Sequence, residues 1–302
     1  MAVLPAPRIT NLRPPQSRQS SVPDLTKVVT QSARRLPNRY GLHAVEHWGK
    51  TSFAAQFPGV IVIQAKGETG LETLINEGRL PEIPHFPEAN SWEELMGYCD
   101  ALLTQEHPYK VVAIDTINAV EPLCHNYCCR IDFEGQMDRF LDYGKGPEAA
   151  LPYWRELLAK LDRLRIEKGM TVVVLSHTKV KNFKNPEGAD YDRFTPDMHE
   201  KTWSLTFRWC DAVFFGNFET TLTQVSTPKK GAHHGKALGG NHRVLYTERT
   251  GAYDAKNRIG LDSLIDMGES AEEAFGNFKT ALVEARERNK AELSGATEET
   301  KQ

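Results

Sequence analysis

AVEHWGKTSF, residues 44–53, carries Gly49, Lys50 and Thr51 in the order that closes a phosphate-binding loop. The pattern is a glycine, about four residues of any kind, then Gly-Lys-Ser/Thr. Val45, Glu46, His47 and Trp48 fill the free places, and Ala44 stands where the first glycine is expected. In such a loop successive backbone N–H groups turn inward onto phosphate oxygens, and the next helix adds its positive N-terminal end. Lys50 would then reach the β- and γ-phosphates, the Thr51 hydroxyl would bind Mg²⁺, and Ser52 would continue the cradle. The first glycine mainly begins the turn, so alanine costs little there unless positive φ is demanded. Gly-Lys-Thr alone is a weak signal, and the rest of the chain has to decide.

Around this loop apolar strands alternate with helical patterns. VIVIQA (60–65), KVVAIDT (110–116) and TVVVLSH (171–177) are continuous apolar runs of strand length. TSFAAQF (51–57), 69–77, 91–105 and 150–168 read as helical. Runs of that kind separated by helices predict an α/β fold with a mainly parallel central sheet covered on both faces. After residue 200, stretches 211–225 and 242–258 look like antiparallel strands. They predict a C-terminal antiparallel hairpin extension whose glycine-bearing polar tip spans 226–243.

The expected domain plan is a disordered Pro/Ser/Gln/Arg-rich arm at 1–30, one domain over 31–284, and a charged, frayed tail at 285–302. The Pro-rich segment 78–90 predicts a surface loop. A net charge of −3 excludes a globally basic, nucleic-acid-coating surface. No run of about 18 apolar residues predicts a membrane span. Five cysteines without a leader-like N-terminus fit reduced thiols and a cytoplasmic protein.

Three more residues fit a nucleotide site. Asp115 ends an apolar strand, where an acid beside the loop can hold Mg²⁺ through its water shell, although it can equally cap the next helix. Glu68 follows VIVIQA and can polarise an attacking water, with Glu72 as the weaker candidate. His177 ends the third strand, at the sheet edge where ligands of such folds bind, and can sense a γ-phosphate.

With these parts in this order the sequence resembles the RecA/KaiC-type branch of P-loop ATPases. More narrowly, it resembles the phage-type AAA-family ATP-binding proteins, which include RecA-like single-strand annealing proteins. The resemblance covers about 35–280 and rests on GKTSFAAQFP, ETGLETL, VVAIDT, the strand ending in SHTK, and YDAKNRIGL at 253–261. It implies a RecA-like P-loop NTPase fold, bound ATP and Mg²⁺, and action on single-stranded DNA. Replication helicase or loader accessory, and nucleotide-binding assembly protein without hydrolysis, remain as alternatives. In the larger superfamily two cations one residue apart reach from a late strand into the neighbouring subunit's ATP. Lys256 and Arg258 have that spacing, which implies a homo-oligomer with ATP at subunit interfaces.

The segment 178–201 follows His177 and interleaves cations with aromatics: Lys179, Lys181, Phe183, Lys184 and Arg193 suit phosphates and unstacked bases. The loop after this strand binds single-stranded DNA in RecA-like proteins, so the resemblance points the same way. Glu187, Asp190 and Asp192 oppose a simple basic track. A second, weaker candidate is the tip with Lys229, Lys230, His233, His234, Lys236 and Arg243. CHNYCC (124–129) lacks the partner set of a zinc site and reads as buried thiols on a helix.

Overall fold

The computed structural model describes residues 35–224 and 235–299. β1 (Arg39–Ala44) leads into α1 (Lys50–Ala55), and β2 (Val60–Gln64) into α2 (Gly70–Asn76) and α3 (Trp92–Thr104). After β3 (Val111–Asp115) come α4 (Ile117–Asp132), α5 (Met137–Leu141), α6 (Lys145–Ala149) and α7 (Leu151–Glu167). β4 (Thr171–Phe183), β5 (Tyr191–Pro196) and α8 (Glu200–Trp209) precede β6 (Ala212–Gln224) and β7 (Gly235–Tyr246). β8 (Lys256–Asn257), β9 (Leu264–Gly268) and α9 (Ala271–Glu299) complete the order.

The strands join one sheet in the order β2-β3-β4-β1-β6-β7-β9, with β5 beside β4 and β8 beside β6. β2, β3, β4, β1 and β6 are mutually parallel, and β7, β9, β5 and β8 are antiparallel to their partners. The mainly parallel α/β expectation therefore holds. Alternation within each strand feeds two cores. On β3, Val112 and Ile114 meet α3, α4 and α7, while Val111 and Ala113 face the side of α1 and α9. Burial on both faces is why these strands read as unbroken apolar runs.

The C-terminal antiparallel expectation holds, with one extension and one correction. β6 is antiparallel to β7 but parallel to β1, so its first half belongs to the parallel sheet. β7 begins at Gly235, so Gly239 and Gly240 lie in a strand rather than a loop tip. Lys229, Lys230, His233 and His234 fall outside the described residues, as does the arm at 1–30.

Segment 78–90 is a mostly exposed surface loop, as expected, and it runs along the outer edge of β2. Val62 N–H donates to Pro84 at 2.9 Å, Phe86 N–H to Val62 at 3.0 Å and Ala89 N–H to Gln64 at 2.9 Å. Its prolines prevent a full strand, yet the residues between them still satisfy an edge that would otherwise invite pairing with another chain. Segment 178–201 is not a single loop: β4 runs on to Phe183 and pairs with β5 as an antiparallel hairpin whose connection is 184–190.

Candidate functional site

Five parallel strands meet along one edge, where β1, β2 and β3 end and β4 and β6 run on past it. In register, Ala44 lies beside His177 on one side and Gly216 on the other, and Gln64 lies beside Asp115. β4 is inserted between β1 and β3, which places His177 between the loop and the Asp115 strand. Ligands of open parallel sheets bind at this carboxyl edge.

The loop is fixed from below. Trp48, which the motif treats as a free position, is fully buried, and its indole Nε1–H donates to Asn217 and Val244 at 3.1 and 3.3 Å. A Cβ on Gly216 would lie 2.7 Å from the Trp48 ring and 2.8 Å from the Ala44 Cβ, so glycine there makes room for both. His47 and Gly49 take positive φ of 60° and 95°, and α1 starts at Lys50. Ala44 is a strand residue outside the left-handed region, so alanine strains nothing there.

Lys50 Nζ folds back to the carbonyls of Ala44 and Val45 at 3.2 and 3.4 Å, and burial pushes its pKa down despite Asp115 and Glu68 nearby. Thr51 donates its hydroxyl to Asp115 Oδ2 at 2.6 Å. Burial raises the Asp115 carboxyl to about 6. Glu68 Oε1 accepts from the Thr116 hydroxyl at 2.6 Å and lies 3.6 Å from His177 Nε2. The His177 contact, aided by Thr116 and opposed by burial, holds Glu68 below its usual range. The His177 backbone N–H donates to Asn118 Oδ1 at 2.9 Å, which ties β4 to the first turn of α4.

The cavity over this edge holds about 660 Å³. His47, Gly49, Lys50, Thr51 and Ser52 form its floor, with Glu68, Asp115, Thr116 and His177 along one side. Gln56, Leu74, Arg79 and Leu80 line another part, and Arg243 with Glu269–Glu272 the remainder. That size suits a nucleotide. Thr51 and Asp115 both offer oxygen to a hard cation, and a divalent charge there would offset the desolvation that raises the Asp115 pKa. No group of three or more His, Cys, Asp or Glu among the described residues could hold a metal. Mg²⁺ needs no such cage, because it takes most ligands from water and phosphates.

The sequence missed Thr116, Asn118 and Arg243. Thr116 is legible after the fact, since it follows Asp115 and its hydroxyl caps α4. Arg243 had no local signal as part of this site: its guanidinium reaches Trp48 O at 2.6 Å from 195 residues away.

Other candidates lie apart. Lys256 Nζ caps α8, donating to Phe207 and Arg208 at 3.0 and 3.1 Å and to Cys210. Arg258 lies beyond the end of β8 and lines a separate cavity with Asn289 and Glu292 of α9. The expected extended strand covers only Lys256–Asn257, so the two cations are not presented together from one strand face. On the β4–β5 hairpin each cation has an acidic partner: Lys179 with Asp197, Lys181 with Glu200, Lys184 with Asp190 and Arg193 with Asp254. Arg193 also sits 5.5 Å over the Phe183 ring. Cys124 and Cys128 are buried in α4, where desolvation pushes both thiols up, Cys128 to about 12. Among the described residues no helix is long and apolar enough to cross a membrane.

No curated protein matches the chain. The RadB recombinase, whose crystal structure is among the similar solved structures, shares 12% identity over 78% of this chain and 89% of that one, at a TM-score of 0.39. The AAA domain family matches residues 36–259, a span that contains the loop, Glu68, Asp115, His177 and Arg243. The cavity at the strand edge and this match agree, and the chain belongs to the AAA domain family of nucleotide-binding ATPases.

Proposed function

We propose that this protein is a Mg²⁺-dependent, RecA-like ATPase that acts on single-stranded DNA in phage-type recombination or annealing, as a homo-oligomer. The observation that carries the hydrolysis reading is the placement of Glu68, with its Thr116 and His177 partners, beside the Thr51–Asp115 pair. Lys50 leaves the loop carbonyls and turns to the β- and γ-phosphates. Thr51 and Asp115 would hold a Mg²⁺ ion, and the chemistry it would supply is neutralisation of charge on the phosphate oxygens. Glu68 is ionised at neutral pH, since its pKa is lowered. It can therefore accept a hydrogen bond from the attacking water and orient it. His177 shares Glu68 and continues into the β4–β5 hairpin, so a γ-phosphate that draws on its imidazole also pulls on that hairpin. The DNA part rests on the hairpin itself, where Lys179, Lys181 and Lys184 flank Phe183.

ATP turnover measured with and without single-stranded DNA tests this. The wild type should be stimulated by DNA, and Lys50→Ala should lose at least about 100-fold in turnover. Nucleotide binding without turnover in the presence of DNA would assign the protein to non-hydrolysing assembly factors. Displacement of a strand from a forked duplex would assign it to helicases.

A further inference from the structure

Arg243 enters the nucleotide cavity from the far side of the sheet. It lies on β7, opposite Phe218 of β6, where two register irregularities meet. One lies between Phe218 and Thr220 in the β6–β7 pairing, the other between Arg243 and Val244 in the β7–β9 pairing. Such irregularities re-aim side chains next to functional sites. Nε donates to Trp48 O at 2.6 Å, Nη1 donates to Glu269 O, and the guanidinium carbon sits 5.8 Å from the Phe218 ring centre. A Cβ built on Gly49 would lie 3.8 Å from Nε, so the guanidinium touches the loop at its glycine. Nη2 makes no hydrogen bond among the described residues, and the side chain lines the cavity with Gly49, Lys50 and Thr51.

We propose that Arg243 is a phosphate ligand of the nucleotide bound to its own chain, and that it also sets the plane of the Trp48–Gly49 peptide. This rests on the nucleotide-binding reading of the cavity. Bound ATP brings more negative charge than Lys50 and a metal ion offset on the phosphate chain, and a guanidinium offers directed N–H donors that suit phosphate oxygens. Two of its nitrogens are already held by backbone carbonyls, so the free edge is oriented before nucleotide arrives and little rotamer freedom is lost on binding. The same two bonds join the loop to the turn before α9, so the C-terminal helix senses whether the loop is filled.

The two roles separate by substitution. Arg243→Gln keeps an N–H donor near the Nε position and can still hold Trp48 O, but it has no charge for a phosphate. Arg243→Ala loses both. Affinity for MgADP, measured by calorimetry on the full chain, should fall at least about tenfold in both variants. The thermal midpoint without nucleotide should fall in Arg243→Ala and by less in Arg243→Gln, which keeps the bond to Trp48 O and loses only the one to Glu269 O. The dependence of MgADP affinity on salt should also flatten in both, because one phosphate-facing cation is gone. Affinity within twofold of wild type in Arg243→Gln, or an unchanged salt dependence in both variants, overturns the proposal. Wild-type protein that binds no MgADP would instead overturn the cavity reading beneath it.

Discussion

His43 lies on β1 one residue before the loop and is fully buried. Its Nε2 sits 2.7 Å from Asp254 O and its Nδ1 3.2 Å from the Thr178 hydroxyl. A carbonyl can only accept, so Nε2 carries the proton and Nδ1 accepts from Thr178. Desolvation lowers the His43 pKa to about 4 from an ordinary 6.5, with Arg193 and Lys50 adding to the effect. The unfolded chain then binds the proton more readily between these values. The stability from neutral His43 is fully present above the unfolded pKa of 6.5 and is lost as pH falls toward about 4. We expect the wild type to lose about 3 kcal/mol more than His43→Gln between neutral pH and pH ~4. Denaturant unfolding of both proteins across that range measures it, and parallel curves would refute it. At the same scale, Ala44 is settled by its neighbours: as a strand residue packed against Gly216 it fills space that a glycine would leave open.

The β4–β5 hairpin is the element that differs most from its sequence reading. Its alternating positions carry lysines and aromatics rather than an apolar face, so no period-2 hydrophobic signal marks it as strand. Two of its ion pairs, Lys181–Glu200 and Lys184–Asp190, are well exposed. Exposed pairs contribute at most about 1 kcal/mol, so a polyanion can displace the carboxylates. Arg193–Asp254 is shielded and shares Asp254 with the Trp203 indole, which makes it a strut between the hairpin and α8. Replacing Lys181, Phe183 and Lys184 together by alanine should weaken single-stranded DNA binding at least about tenfold and reduce its salt dependence. Fluorescence anisotropy at matched salt decides this, and unchanged affinity would remove the hairpin as the DNA contact.

At the scale of the whole molecule, Lys256 and Arg258 stand apart from their own chain's nucleotide cavity. Any action on ATP by Arg258 therefore has to cross to another subunit. Mixing Lys50→Ala with Arg258→Ala subunits should restore part of the DNA-stimulated turnover that each lacks alone, because some interfaces then pair an intact loop with an intact Arg258. No rescue, with mixed oligomers verified by sizing, would place Arg258 outside the reaction. Lys256 is a weaker choice for that experiment, since it caps α8 and its loss disturbs the fold.

Local pattern alone determined the strands VIVIQA, VVAID and TVVVLSH, the helices near 69–77, 91–105 and 150–168, and the loop at Gly49–Thr51. Side-chain period and turn chemistry are properties of adjacent residues, so they survive in one dimension. Asp115, Glu68 and His177 were legible for the same reason: each is a polar residue at or just past the end of an apolar strand. Only the tertiary structure decided that β4 lies between β1 and β3, and so that His177 meets Glu68. It alone showed that Trp48 is an anchor, that 78–90 covers a sheet edge, and that Arg243 reaches the loop. These depend on strand order and on packing between distant segments, and no local periodicity carries that information.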